Sequence, residues 1–151
     1  MIAGPLIVPD STLNALLGGQ LPPFPGANLT ALLLGATYSP DFALHATLSD
    51  VSPHEISGHD YRRLVVTGTS VTAAPGGAVF ATDAISWGDP VTMPPCKYLA
   101  VCFGSLGTLQ GAERLLGIAD LAPTHAAVEA MRSAFTVTPP APGWFVLENA
   151  N

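Results

Sequence analysis

Three of the chain's four histidines, His45, His54 and His59, fall within one segment, "LHATLSDVSPHEISGHDY". Imidazoles bind metals and carry protons, and Glu55 and Asp60 stand beside the last two. The spacing gives no zinc signature, however. There is neither an H-E-x-x-H helix nor a Cys-His pair at finger spacing, and Pro53 with Gly58 breaks any helix that would align ligands. For a Ser-His-Asp hydrolase the nearest match is "FGSLG", where Ser105 lies in Gly-Ser-Leu-Gly rather than in a G-x-S-x-G elbow. Asp83, Asp89 and Asp120 could supply the paired carboxylates of a glycosidase, but spacing along a chain does not set distance in space. Cys96 and Cys102 flank "KYLAV". If that run is extended at about 3.3 Å per residue they lie roughly 20 Å apart, too far to pair within one strand. They read as small buried hydrophobes. The sequence therefore nominates no catalytic, metal-binding or cofactor-binding residue. Asp50, Ser52, Ser57 and Gly58 instead suit tight turns closed by side-chain to backbone bonds, with Glu55 bonding a turn or a neighbouring subunit.

The elements that must hold these residues are mostly strands. Apolar or β-branched runs occur at 29–36, 62–67, 69–73, 78–81, 84–87, 97–103, 114–121, 134–138 and 144–147, with breakers such as "APGG", "GDP", "MPPC" and "PPAPG" between many of them. That rhythm predicts an all-β fold, an antiparallel β-sandwich of roughly eight or nine short strands, with one or two short helices. "THAAVEAMRSA" has Thr124 as a possible N-cap and Ala127, Val128 and Met131 at helical spacing, so it is expected to be a short connecting helix.

Residues 1–28 differ from the rest. They hold Pro5, Pro9, Pro22, Pro23 and Pro25, and "LPPFPG" can only be extended. Within them "DSTLNALLGG" fits one helix, with Asp10 or Ser11 as N-cap and a glycine stop. The division expected is an N-terminal arm over 1–28 and a sandwich domain over 29–151. The arm cannot form a core alone, so its apolar residues must pack on the domain or on a neighbouring subunit. Ile2, Leu6, Ile7, Val8, Leu21 and Phe24 are the candidate assembly interface, with Leu13, Leu16 and Leu17 on the helix. Removal of residues 1–25 is expected to leave the sandwich folded but to weaken assembly.

Composition narrows the partners. Charged residues make up 11% and apolar residues 48% of the chain, and mean hydropathy is +0.41. So few charges leave much uncharged surface for a partner to cover. Five Lys and Arg against eleven acids give a net charge of −6, and the cations are scattered, so a nucleic-acid partner is not expected. No basic residue precedes Arg62, and no apolar run approaches the roughly eighteen residues of a membrane span. The expectation is a soluble protein made in the cytoplasm, with no membrane partner.

A resemblance extends this reading. The order "ALLLGATYSPDFALHATLSDVSPHEISGHDY", a strand, "VFATDAISWGD", "KYLAVCF", "LLGIADLA" and "AFTVTPPAPGWFVL" resembles a widespread family of small structural proteins encoded with the virion genes of tailed bacteriophages. The matching positions over residues 29–148 include Tyr38, Pro40, Asp41, His45, Asp50, Val51, Ser52, Glu55, Ile56, Ser57, Gly58, Tyr61, Phe80, Asp83, Trp87, Tyr98, Gly117 and Asp120. Lys97 stands where the family tends to have Arg, "THAAVEAMRS" replaces a Gly- and Ser-rich turn, and "GHDYRRL" lacks the usual glycines. The resemblance implies a non-enzymatic virion component that decorates the capsid, serves as a minor capsid protein or forms the base of a head fibre. Its implied partner is the major capsid protein or another virion protein. The low charge adds a homo-oligomer, a trimer at a quasi-threefold capsid position, made in the host cytoplasm and located in the virion. A tail or tail-fibre component is the alternative within that class. Outside it stands a carbohydrate-binding sandwich, with Tyr61, Trp87, Tyr98 and Trp144 lining a groove rather than the core. Exposure of Trp87 or Trp144 beside a groove separates the two.

Overall fold

The computed structural model describes residues 1–148. In chain order the strands are β1 (Leu29–Leu34), β2 (Leu64–Val65), β3 (Ser70–Ala74), β4 (Gly77–Ala81), β5 (Ile85–Cys96), β6 (Tyr98–Phe103), β7 (Leu115–Asp120), β8 (Val128–Val137) and β9 (Phe145–Glu148). Two short helices, α1 (Asp10–Leu17) and α2 (Leu48–Val51), precede and follow β1. All strand pairs are antiparallel, in a four-stranded sheet β2-β1-β6-β7, a three-stranded sheet β3-β4-β9 and the pair β5-β8. The fold is all-β and sandwich-like, as the spacing of runs and breakers predicts.

The four-stranded sheet is the centre of the molecule because it is covered on both faces. Every residue of "LTALLL" in β1 is buried, which explains a run without polar alternation. Leu29, Ala31, Leu33, Leu99, Val101 and Phe103 face one way and pack with Phe80, Trp87, Phe135 and Trp144 from the other strands. Leu32, Leu34, Ala100, Cys102, Leu115 and Ile118 face the other way, beneath Tyr38, Leu48 and Val51. Each leucine so enclosed stabilises the fold by about 1.5–3 kcal/mol before ordering entropy is charged.

Three expectations need correction. Residues 128–137 form a strand, not a helix. Ala130 is buried opposite Met93, and Val128 pairs with Cys96, so pairing with β5 outweighs the local helical spacing. "GDP" and "MPPC" lie inside the twelve-residue β5 rather than between strands. β5 has one strand neighbour and register shifts along its length, so its prolines leave no ladder bond unmade on the free side. Finally, α1 begins at Asp10 behind Pro9, and no side chain caps it, so neither Asp10 nor Ser11 is its N-cap.

Candidate functional site

The arm lies along the domain's own body. The Met1 amino group donates to Thr136 O at 2.9 Å, Ala3 N to Thr138 O at 3.0 Å, Gly4 N to Asp120 O at 2.9 Å and Leu6 N to Trp144 O at 2.9 Å. Ile7 and Ile118 exchange both backbone bonds, which adds the arm to the outer edge of β7. Helix α1 follows, and its buried Thr12 donates to Leu115 O at 2.6 Å. Further along, the ring of Phe24 meets those of Phe80 at 5.2 Å, Phe145 at 6.0 Å and Phe103 at 6.2 Å.

Gly117 makes the close approach possible. A Cβ there would lie 2.6 Å from Leu6 Cγ and 2.9 Å from Ile7 O. A register shift opposite Val101 and Cys102 places this glycine on the inner face, under the arm.

Five of the six interface candidates, Leu6, Ile7, Val8, Leu21 and Phe24, line one apolar groove of about 290 Å3 between the arm and strands β7 and β9. Ile2 is on the surface, 72% exposed. Leu6, at 3% exposure, lines the floor of the groove and belongs at the same time to the domain's own core. Ile7, Leu13 and Leu147, which line the groove, are also exposed, as is Leu17 at the end of α1. The hydroxyl of Thr12, which also lines the groove, is already bonded to Leu115 O. The groove thus offers dispersion and apolar burial, with no preorganised group for chemistry. Leu116, Phe145 and Leu147 line it too, yet no short-range sequence signal marks them, because they reach it only through the pairing of β7 and β9.

The histidine-rich segment covers the outer face of the four-stranded sheet. Tyr38 is 2% exposed, its hydroxyl lies 2.7 Å from His45 Nδ1, and the two rings stack at 5.4 Å. Asp41 N donates to the same Nδ1 at 3.2 Å, so that nitrogen is an acceptor and the proton of neutral His45 sits on Nε2. Burial first, and then the Asp50 and Asp41 carboxylates, push the Tyr38 phenol up to about 12. His54 packs against Tyr38 at 5.2 Å, while His59 is exposed in a left-handed turn with φ of 52°. Asp50 Oδ2 accepts from Ala46 N and Thr47 N, both at 2.8 Å, completing a capping box on α2. Those two backbone bonds hold its carboxyl below the usual aspartate range.

Glu55 takes a bidentate ion pair from Arg63, with Nε at 2.9 Å and Nη2 at 2.6 Å, and accepts from the Tyr61 hydroxyl. Burial and that bond to Glu55 push the Tyr61 phenol upward. Asp60 is held separately, its carboxylate accepting from Thr92 N at 2.7 Å. Among the described residues no three His, Cys, Asp or Glu side chains gather as a metal-ion site.

The remaining candidates are dispersed. Asp83 accepts from Thr67 Oγ1 at 3.1 Å, and Asp120 accepts from Ala122 N at 2.8 Å and lies 3.4 Å from Lys97 Nζ. Cys96 and Cys102 are free and buried, and burial pushes their thiols up to about 12 and about 11. Trp87 and Trp144, each 1% exposed, are core residues whose indoles donate to Arg62 O and Thr82 Oγ1. They form no wall of a glycan groove. No helix of the described residues is long and apolar enough to cross a membrane.

No family model, curated protein or solved structure matches the chain. Fold and site together define an all-β sandwich-like protein with an apolar groove built from its own N-terminal arm.

Proposed function

We propose that the protein is a non-enzymatic structural component of a tailed-phage virion, a capsid decoration, minor capsid or head-fibre base protein that acts as a homotrimer. The observation that carries this reading is the use made of the residues behind the resemblance. Tyr38, Asp41, His45, Asp50, Glu55 and Tyr61 are all engaged in bonds that shape one loop over the sheet, as a scaffold protein requires. Support for assembly comes from the apolar groove and from Ile2, Ile7, Leu13, Leu17 and Leu147 exposed around the arm and β9. An apolar groove with exposed leucines and isoleucine on its rim is covered in a working protein, here by another virion protein or a neighbouring copy.

The test is to co-produce the chain with the capsid genes of a tailed phage and to band the particles on a density gradient. Co-banding at a fixed copy ratio, with a mass for the purified protein that is a multiple of three chains by light scattering, is the expected result. A micromolar monomer that stays at the top of the gradient would overturn the reading.

A further inference from the structure

Strand β3 is an edge without protection. It pairs only with β4, and Val71, Thr72 and Ala73 are all exposed, Val71 at 45%. No ionisable residue occurs anywhere from Leu64 to Thr82. Edge strands ordinarily carry a charge, a proline, a bulge or a cover, because their unpaired N–H and C=O groups recruit other strands. The other edges among the described residues have such devices. β2 is two residues long, the outer edge of β7 is taken by Ile7, and β5 contains Pro90, Pro94 and Pro95. β8 carries Glu129 and Arg132, with Arg132 at a φ of 52°, and β9 ends in Glu148 beside the arm that bonds Trp144 O. β3 has none.

We infer that β3 is a twofold pairing surface, on which a second copy of this chain lays its own β3 antiparallel. Three features select that occupant. First, a molecule of net charge −6 repels its copy least where it is neutral, and neither β3 nor its partner strand β4 carries a charged residue.

Second, the register suits self-pairing. The turn Pro75–Gly76, with Gly76 at a φ of 78°, joins Ala74 to Gly77 as the closing pair, so by alternation Val71 and Ala73 turn their backbone groups outward. Centred on Thr72, two antiparallel copies exchange backbone bonds between Val71 of one and Ala73 of the other, in both directions.

Third, that register sets Thr72 opposite Thr72, a favourable cross-strand pair, whereas a charge at that position would face itself. The sheet that results runs β9-β4-β3-β3-β4-β9 across the twofold axis. The contact does not rest on the virion reading and is compatible with a cyclic assembly through the arm, which it would link in pairs.

Thr72→Cys reports the contact directly, because residues facing each other in a non-hydrogen-bonded antiparallel pair lie about 4.5 Å apart at Cα, within disulfide range. The native thiols are buried and do not compete. Mild oxidation of the full-length variant at micromolar concentration is expected to yield a disulfide-linked dimer. Thr124→Cys, on an exposed loop, should yield none. Thr72→Lys should halve the mass measured by sedimentation without altering the circular dichroism spectrum. Absence of the Thr72→Cys dimer, equal crosslinking of the Thr124→Cys control, or an unchanged mass for Thr72→Lys would each overturn the proposal. Gradient banding with particles is a separate readout, so this contact can fail while the virion reading stands, and the reverse.

Discussion

At the residue scale the segment that looks most like an active site spends its polar groups on shape. Asp50 is the plainest instance, since one carboxylate oxygen satisfies two backbone donors at the start of α2. Replacing it with alanine is expected to destabilise the domain by about 1 kcal/mol, the usual worth of such a cap. The effect should depend on pH with a defined sign. The folded-state pKa of Asp50 is lowered, so its contribution is complete above the unfolded aspartate value near 3.8 and is lost as pH falls through the folded value. Urea titrations of wild type and Asp50→Ala should therefore differ at pH 7 and converge in acid; a constant difference down to pH 2 would contradict the assignment. The turn roles of Asp50 and Gly58 were legible in the sequence, because Asp bonds neighbouring backbone and glycine takes a left-handed φ, here 96°. The contact of Tyr38 with His45 was not, because it depends on the loop folding back over the sheet.

At the scale of elements, legibility follows the number of faces a strand buries. β1, β6 and β7 are enclosed on both faces and stand out as continuous apolar runs in "LTALLL", "KYLAVCF" and "LLGIADL". β8 was hidden because a left-handed residue at Arg132 interrupts its alternation, leaving Met131, Arg132, Ser133 and Ala134 all exposed in succession. Without a period of two, Ala127, Val128 and Met131 mimic a helix. Gly117 is an equally silent signal, a glycine in a strand whose purpose appears only when the arm is in place. Gly117→Val should press on Leu6 and on the backbone of Ile7. A loss of about 1–3 kcal/mol, typical of overpacking, is expected in urea titration, with faster proteolysis within residues 1–9. Unchanged arm protection in the variant would show that Gly117 has no part in docking it.

For the whole molecule the decisive question is whether the arm is an attachment or a part of the core. Its sequence admits both answers, because prolines and scattered leucines say that a segment must dock without saying on what. The structure places Ala3, Leu6 and Ala15 among the buried residues and Phe24 against three phenylalanines of the sandwich. Burial of Leu6 is worth about 1.5–3 kcal/mol, and the half-buried Phe24 adds a smaller share. The arm also satisfies Thr138 O, Asp120 O, Trp144 O and both backbone groups of Ile118, at about 1 kcal/mol net per bond. Against these gains stands the entropy of ordering the segment, which Pro22, Pro23 and Pro25 reduce by restricting the unfolded chain. A loss of several kcal/mol is a large part of the roughly 5–15 kcal/mol that holds a domain of this size together. Deletion of residues 1–25 is therefore expected to lower Tm by about 10 °C or more, or to abolish the cooperative melt, rather than to leave an intact sandwich. Thermal circular dichroism on the truncated chain decides it. A wild-type Tm would return the arm to the role its proline content first suggests, a strap whose main contacts lie on another molecule. A lowered Tm, rescued by a separate peptide of residues 1–28, would make the groove a site that recognises this chain's own N-terminus.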